Sequence, residues 1–322
     1  MTYRAHPDDR FHPPASDSPY WTETCWFTFA VPQRRLSGQI YPFFQPNLGV
    51  YSAGVYLWDD CGHEPHTIVF GKNFWHLPMP AQDLDDIQLA NGVSIRCTEP
   101  LRRYELTYRD PDADEVAIDL EFTAICAPNY LQGGHYEHAG RYRGTIRIGS
   151  EVIPVDSYGM RDRSWSVRSQ FGADIHGTGA VRGGYSYATA DESHAFHMIS
   201  MAFVAEECIG IHGYYLRDGE FARLAGGKRT VLARDPATRA PLHVLIEARD
   251  ELGRELRAEG RCLNRIGLHL NPNLFTWNCL TEWRLDGCTG FGEDHDNWTA
   301  SGARHFFRQK GDGGSHPFSG GR

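Results

Sequence analysis

The chain has 322 residues, of which 41% are hydrophobic and 23% charged, and its formal net charge at pH 7 is -9. This length is sufficient for one large domain or for two ordinary ones with cores of their own, and two is the expectation. The negative charge and the lack of long basic runs argue against a nucleic-acid partner, because phosphate binding needs a concentrated basic surface.

The N-terminal residues and the cysteines bear on the cellular compartment. Residues 1–14 contain no apolar signal core, and no window of the chain reaches the length needed to span a bilayer. We therefore expect a cytoplasmic protein without a transmembrane segment. The eight cysteines never form a CxxC pair, so in a reducing compartment they are expected to be small buried side chains rather than reactive thiols or disulfides.

Short β-rich runs separated by Gly, Asp, Asn and Pro turns recur along the whole chain, with almost no helical periodicity. In the first half, residues 86–97 reverse at Asn91-Gly92, a pair that accepts the positive φ angles of a tight turn. Residues 104–108 and 116–125 bracket a second reversal. These patterns predict antiparallel hairpins.

Hairpins follow one another more regularly in the second half. The predicted strands there are 184–188, 195–203, 209–216, 242–248, 255–263 and 275–285. Sequential hairpins favour an up-and-down barrel or a sandwich, because closure of a sheet removes its exposed edges. The pattern therefore predicts an all-β protein.

The domain boundaries follow from the length and from the composition of the ends. We assign residues 18–170 to an N-terminal β domain and residues 171–309 to a C-terminal one. The end segments 1–17 and 310–322 are rich in Pro, Gly, Ser and charged residues, so we expect poorly packed tails.

Three HxxH pairs raise the question of a metal site. They are His63 with His66, His135 with His138, and His194 with His197. Residues three apart on a strand point to opposite faces, so such a pair cannot chelate a metal outside a turn. None of the pairs is followed by the spaced third ligand of a known zinc pattern, and we expect no metal ligands.

Motifs for cofactors and for a serine nucleophile are also missing. The chain has no GxxxxGK[ST] loop, and the glycine-rich run 177–184 lacks the following helix of an anion site, which favours a bend or a bulge there. GxSxG is absent, which argues against an α/β-hydrolase. We expect no cofactor.

The densest group of polar and aromatic side chains is YGMRDRSWSVR, residues 158–168. Side chains alternate along a strand, which divides this motif into two faces. One face carries Asp162, Ser164 and Ser166, and the other carries Arg161, Arg163 and Trp165.

Two interpretations of Asp162 remain open at this point. In an apolar pocket its pKa would be raised and the carboxyl group could donate a proton, whereas an adjacent arginine would lower the pKa. In the structural interpretation, Arg161, Arg168 or a distant arginine fixes Asp162 and ties two barrels together. The orientation of the Asp162 carboxylate decides between them.

Other acid-base candidates have equally plain alternatives. His197, between Phe196 and Met198, fits a core histidine as well as a catalytic one. His212 is a further candidate. Glu282 fits an outward-facing strand residue, and GEDHDNW, residues 292–298, is typical of a solvated loop.

The stretch 135–168 resembles a signature of lipocalin-like bacterial proteins related to the carotenoid hydratase (hydroxyneurosporene synthase) and AttH group. In those proteins a Gly-x-x-Asp-x-x-Trp core follows a G-x-I-x-I-G strand, here residues 144–149, and the matching positions are Gly159, Asp162 and Trp165. Residues 20–29 also resemble the start of the N-terminal barrel in the uncharacterised branch. The resemblance implies an all-β fold of two consecutive lipocalin-like antiparallel β-barrels with a pocket near their junction.

The resemblance also implies a function, because members with known activities act without a redox cofactor on hydrophobic, often isoprenoid or polyketide, substrates. We therefore expect a cofactor-independent hydratase or lyase, isomerase or cyclase that acts on an apolar small molecule. Asp162 would be the general acid or would orient it, and His197 or Glu282 would be the base. The side chains expected to contact the substrate are Trp165, Arg168, Tyr185 and Trp277.

Two other functions remain alternatives. A non-catalytic carrier would bind an apolar ligand and release it unchanged. An interaction module would act inside a complex through a large exposed apolar patch. The sequence leaves a homodimer open.

Overall fold

Two antiparallel sheets make up the structure, a computed structural model that describes residues 5–168, 182–202, 208–271 and 273–308. Almost all regular structure is β, which confirms the all-β class. Among the described residues, no helix is long and apolar enough to cross a membrane. The predicted tail 310–322, the predicted boundary at 170 and most of the glycine-rich run lie outside these residues.

The N-terminal sheet has eleven strands, which are β1 (Trp21–Val31), β2 (Leu36–Gln45), β3 (Val50–Trp58), β4 (Phe70–Pro78), β5 (Asp86–Gln88), β6 (Val93–Glu99), β7 (Arg103–Arg109), β8 (Val116–Ala124), β9 (Asn129–Leu131), β10 (His135–Ile148) and β11 (Glu151–Val167). Their spatial order is β4-β3-β2-β1-β11-β10-β8-β7-β6-β5, with β9 added beside β10. Short 3₁₀ turns span Pro7–Asp9, Pro32–Arg34 and Pro46–Leu48. The sheet curls around one apolar core, and no ladder of described residues joins its edge strands β4 and β5.

The C-terminal sheet contains a closed barrel of eight strands. Its strands are β12 (Arg182–Asp191), β13 (His194–Ala202), β14 (Cys208–Arg217), β15 (Glu220–Arg234), β16 (Pro241–Asp250), β17 (Glu255–Cys262), β18 (Ile266–Asn271), β19 (Leu274–Leu285) and β20 (Cys288–Thr299). Strands β12 to β17 pair in succession, β17 pairs with β19, and β20 pairs with both β19 and β12, which closes the ring. Strand β18 pairs with β19 outside the ring, and helix α1 (Ala300–Arg308) packs Phe307 against Phe275 and Trp298.

The predicted hairpins are present. Strands β5 and β6 pair across Asn91-Gly92, where Gly92 has φ 90°. A Cβ at Gly92 would lie 2.0 Å from the carbonyl oxygen of Arg109, so both the backbone angle and the space require glycine. The local turn chemistry therefore sets the register of this edge, as the sequence indicated.

The N-terminal segment is packed into the first sheet, contrary to the expected loose tail. Asp9 is 1% exposed, and its carboxylate accepts hydrogen bonds from Tyr104 Oη and, at 2.8 Å, from the Leu101 backbone N. Arg161 Nη2 lies 3.5 Å from Asp9 Oδ1, and Arg163 donates to Glu23. The composition of residues 1–17 predicted a loose tail. Composition does not show tertiary contacts, and here buried arginines on β11 bind this segment.

GEDHDNW forms the middle of β20 and not the solvated loop that its charges indicated. Asp294 and Asp296 are buried inside the barrel, where Arg229 Nη2 donates to Asp294 at 2.6 Å and Arg234 Nη1 donates to Asp296 at 2.7 Å. Burial opposes ionisation of Asp296, but the nearby arginines outweigh it and hold the pKa of this carboxyl well below its usual range. Three arginines from other strands therefore make the acidic run a core element.

Side chains fill the interiors of both sheets. The first contains a large cluster of aliphatic and aromatic residues, and the second contains a smaller apolar cluster beside the ionic group around Arg229. Four cysteines are buried, three are half-buried and Cys61 is exposed. We therefore expect a ligand site between the two sheets rather than inside either one.

Candidate functional site

A cavity of about 450 Å³ lies at the junction, between the N-terminal sheet and the outer wall of the barrel. Odd-numbered β1 residues such as Phe27 point into the N-terminal core, so alternation turns Trp26 toward the barrel. Asp162 pairs with Trp26 in register and lines the same wall. On the barrel side, Tyr185 on β12 pairs with His295 on β20, and both line the opposite wall.

Aromatic and hydrogen-bonded contacts fix the inner wall of the cavity. The Trp26 ring lies 5.6 Å from the Tyr185 ring and 5.3 Å from that of His295, and its Nε1 donates to Gln39 Oε1 at 3.1 Å. His295 Nε2 lies 2.7 Å from Glu293 Oε2, and Glu293 Oε1 accepts from Thr28 Oγ1 at 2.5 Å. These contacts join β1 to β20 and position an imidazole at the cavity wall.

The carboxylate of Asp162 opens on this cavity. Asp162 is 7% exposed, Ser164 Oγ donates to its Oδ1 at 3.5 Å, and His135 Nε2 lies 3.7 Å from its Oδ2. Among the described residues no arginine lies within ion-pair distance of Asp162, so the arginine clamp considered from the sequence is wrong for this residue. Arg161 and Arg163 point into the N-terminal core instead.

Behind Asp162 lies a fully buried carboxylate that the sequence did not single out. Glu137 on β10 is 0% exposed and pairs in register with Asp162. Its Oε1 lies 2.8 Å from His197 Nδ1 and 2.8 Å from His212 Nε2, while its Oε2 lies 2.9 Å from His135 Nε2. The group therefore connects the two domains, since Glu137 and His135 belong to β10 whereas His197 and His212 belong to β13 and β14.

The imidazoles compensate the buried charge of Glu137 together with an amide. Asn129 Nδ2 donates to Glu137 Oε1 at 2.9 Å. The ring nitrogens of His135 and His197 lie at ion-pair distance from Glu137 without a well-aligned hydrogen bond, so we attribute their effect mainly to charge. Burial would raise the pKa of Glu137, but His197, His135 and His212 outweigh it and hold that pKa well below its usual range.

His135 separates two carboxylates that would otherwise repel each other. Like charges directly opposite on neighbouring strands are unfavourable, and Glu137 faces Asp162 across the ladder. Burial lowers the pKa of His135, but Asp162 and Glu137 more than offset this and raise it overall. His197 differs, because burial lowers its pKa by more than Glu137 raises it. Of these two histidines, His135 is therefore the one that more readily carries a positive charge.

Two phenols complete the wall as hydrogen-bond donors. Burial, together with the charges of Asp162 and Glu137, raises the pKa of Tyr185 well above its usual value. Burial and Asp162 raise the pKa of Tyr41 to about 12. Both hydroxyls therefore remain protonated at neutral pH, and the Tyr185 hydroxyl has no hydrogen-bond partner among the described residues.

The outer part of the cavity is aliphatic. Val167 and Ile211 are 47% and 48% exposed, and Ile199 and Met201 line the cavity beside them. A small molecule with a polar head or reacting group and an apolar body would match this change from polar inner wall to aliphatic rim.

The residues predicted for the site separate into two groups. Asp162, Arg168 and Tyr185 line the cavity, and His197 contacts Glu137 behind it. The others are placed elsewhere: Trp165 stacks on His12 at 3.9 Å on the opposite face of β11, Glu282 pairs with Arg261 at 3.3 Å, and Trp277 packs in an apolar cluster with Cys279.

One group outside the cavity has spacing compatible with a metal. Donor atoms of Asp191, His194 and Cys288 lie within 4.8 Å of one another, the only such group in the part of the chain that the structure describes. Carboxylates already flank His194, with Asp191 Oδ1 3.0 Å from Nδ1 and Asp218 Oδ1 3.4 Å from Nε2. We attach no function to this group.

The pKa of His138 makes the free energy of unfolding depend on pH. It is fully buried on β10, with Arg161 Nη1 3.4 Å from its Nε2. Burial and then the charge of Arg161 lower its pKa well below the ordinary 6.5. Below pH 6.5, unfolding therefore takes up a proton at His138. The stability associated with neutral His138 is fully present above pH 6.5 and is lost as the pH falls below it.

We expect His138→Gln to reduce the dependence of unfolding free energy on pH below the ordinary histidine pKa. The change in slope should approach about 1.4 kcal/mol per pH unit. Urea denaturation between about pH 5 and pH 7 measures it, with the exposed His243→Gln as control. Equal slopes in the wild type and His138→Gln would show that His138 is protonated in the folded protein.

Comparison with known proteins places the chain in a family. A family model described as Domain of unknown function (DUF7064) matches residues 5–299. The chain belongs to this family. No curated protein matches the DUF7064 chain. The match begins at residue 5, before Asp9, whose carboxylate lies at ion-pair distance from Arg161. This N-terminal segment therefore belongs to the domain.

A solved structure shares the fold. It is the crystal structure of a Nitrosomonas europaea protein provisionally described as AttH, with a TM-score of 0.57 and 18% identity, and the alignment covers 86% of the DUF7064 chain and 91% of the other. This similarity confirms the lipocalin-like two-barrel fold of the AttH group that the sequence motif indicated.

Proposed function

We propose that this DUF7064 protein is an acid-base enzyme that binds an amphipathic small molecule in the junction cavity and exchanges protons with it through Asp162. The orientation of the Asp162 carboxylate carries the proposal. It opens on the cavity, and within the part of the chain that the structure describes its polar contacts are with Ser164 and His135, at 3.5 and 3.7 Å. A carboxylate that served only as a clamp would have stronger partners, as Asp294 and Asp296 do.

The surrounding groups support proton transfer in a defined way. Asp162 can accept a proton from the substrate or return one to it, and the Tyr185 hydroxyl can donate a hydrogen bond to an oxygen on which negative charge develops. His135 lies between Glu137 and Asp162, which raise its pKa, so it can carry a positive charge next to Asp162. Isomerisation, hydration and cyclisation by protonation are the reaction classes that need no more than these groups.

The carrier function remains the second candidate, and the aliphatic rim supports it. However, apolar side chains alone are sufficient to retain an apolar ligand. A carrier does not need a buried carboxylate and three histidines. Desolvating such charges is costly, and a carrier gains nothing from that cost. The enzyme is therefore the function that the site supports best.

Solvent isotope incorporation tests the proposal and does not require the substrate to be identified beforehand. The wild-type protein is incubated with a panel of isoprenoid alkenes, enones and polyketide-type enols in deuterium oxide enriched in heavy-oxygen water, and products are analysed by mass spectrometry. Isomerisation gives deuterium alone, and hydration gives deuterium together with heavy oxygen. Ligands that bind but are recovered unlabelled and unchanged across the panel would support the carrier and overturn the enzyme.

A further inference from the structure

We infer that the ligand of the cavity carries an apolar body and a carboxylate, which Arg168 binds on the cavity wall that Asp162 also lines. The inference rests on the proposed function only for the role of Asp162. The contacts of Arg168 and of its neighbours carry the recognition of the carboxylate.

Arg168 differs from the other buried or half-buried arginines near the junction. Arg161, Arg163 and Arg229 each lie within ion-pair distance of an acidic side chain. In residues 5–168 and the other described ranges, no carboxylate lies within ion-pair distance of Arg168. Among the described residues its Nη2 donates only to Thr24 Oγ1, at 3.3 Å, and its buried Nε has no partner there.

The position and the unpaired donors of Arg168 favour an anionic ligand. Its backbone N donates to the Tyr20 carbonyl at 2.9 Å, which extends the β1–β11 pairing and fixes the base of the side chain. Leaving a buried charged donor unpaired is unfavourable, and a guanidinium pairs with a carboxylate through two parallel hydrogen bonds. A bound carboxylate would satisfy Arg168 without displacing an internal acid.

Neutral donors on the cavity wall point to the same chemistry. Asn278 is 1% exposed, its Oδ1 accepts from Thr276 Oγ1 at 2.8 Å, and its Nδ2 has no partner within the described ranges. The Tyr185 hydroxyl is unpaired as well, whereas Asn297 Oδ1 is an unpaired acceptor. Acceptor oxygens of a ligand would satisfy the two unpaired donors, Asn278 Nδ2 and the Tyr185 hydroxyl.

The Arg168 side chain lies along the cavity wall formed by β1 and β11. Arg168 and Asp162 both line the cavity. The Arg168 side chain extends back toward Asp162, because Thr24, which accepts a hydrogen bond from its Nη2, pairs in register with Ser164, two residues from Asp162. A carboxylate bound to Arg168 therefore lies on the wall that Asp162 also lines, and apolar wall for the body of the ligand is provided by Ile199, Met201 and Ile211.

The test measures binding alone, by isothermal titration calorimetry of the full chain with decanoate, 1-decanol and decylamine at neutral pH. We expect the wild type to bind decanoate at least about 10-fold more tightly than decanol, and decylamine more weakly than either. Arg168→Gln should bring decanoate and decanol to within about twofold of each other, whereas Arg168→Lys should keep part of the preference. Arg34→Gln, an exposed arginine paired with Glu151, is the matched control and should change nothing.

Equal wild-type affinity for decanoate and decanol would overturn the inference, and so would a preference that survives in Arg168→Gln. The wild-type comparison of the three ligands stands even if Arg168→Gln fails to fold. Binding and turnover are also separable. A preference for decanoate without isotope incorporation would support the inference and argue against the enzyme. Isotope incorporation into neutral compounds only would support the enzyme and argue against the inference.

Discussion

Replacement of Arg229 by Met is expected to lower the free energy of unfolding by about 3–5 kcal/mol, because it leaves buried carboxylates without their cation. Arg229 is fully buried in the barrel, where its Nη2 lies 2.6 Å from Asp294 Oδ2 and its Nη1 lies 3.1 Å from Asp296 Oδ1. Asp296 keeps Arg182 and Arg234, whereas Asp294 keeps, among the described residues, only the hydrogen bond from Ser186 Oγ at 2.7 Å. Urea denaturation at neutral pH measures the loss.

A surface variant and a compensating variant make this measurement specific. Arg257 on β17 of the same barrel is exposed and pairs with Glu247 and Glu259, so Arg257→Met should stay within about 0.5 kcal/mol of the wild type. Adding Asp294→Leu to Arg229→Met should restore part of the stability, because the uncompensated charge is removed. A loss below about 1 kcal/mol in Arg229→Met would mean that water compensates Asp294 in the barrel.

The fold was largely predictable from the sequence, because alternation and turn residues are local signals. Asn91-Gly92 predicted the β5–β6 hairpin, and sequential hairpins predicted a barrel or a sandwich. The acidic run 292–298 was predicted wrongly for the same reason. A cluster of charges is locally typical of a loop, and the arginines that compensate Asp294 and Asp296 inside the barrel lie on other strands.

The candidate site was predictable only in part. The family motif joins Asp162 and Trp165, but residues three apart on a strand face opposite sides, so one cavity could not contact both. The alternation argument, which grouped Asp162 with Ser164 and Ser166, agrees with the cavity wall. Glu137 was missed because its importance depends on β10 pairing with β11 and on histidines from β13 and β14, and no local pattern reveals that.

Asp162→Asn is expected to reduce turnover of any compound labelled in the solvent isotope assay by about 10²- to 10⁴-fold, because the amide cannot accept or return the proton. Asn has nearly the same shape, and the polar contacts of Asp162 with described residues are the distant ones with Ser164 and His135. The melting temperature should therefore change little. Initial rates and thermal unfolding of the same preparation measure both effects.

Asp156→Asn is the matched control, since Asp156 lies on the same strand but pairs at the surface with Arg141 at 2.6 Å. It should leave turnover unchanged. A fall in stability of Asp162→Asn large enough to account for lost activity would favour the structural interpretation of this motif, and full activity in a stable Asp162→Asn would remove Asp162 from the chemistry. The two interpretations of YGMRDRSWSVR thus correspond to its two faces: Arg161 and Arg163 hold the N-terminal segment, and Asp162 on the other face opens on the cavity.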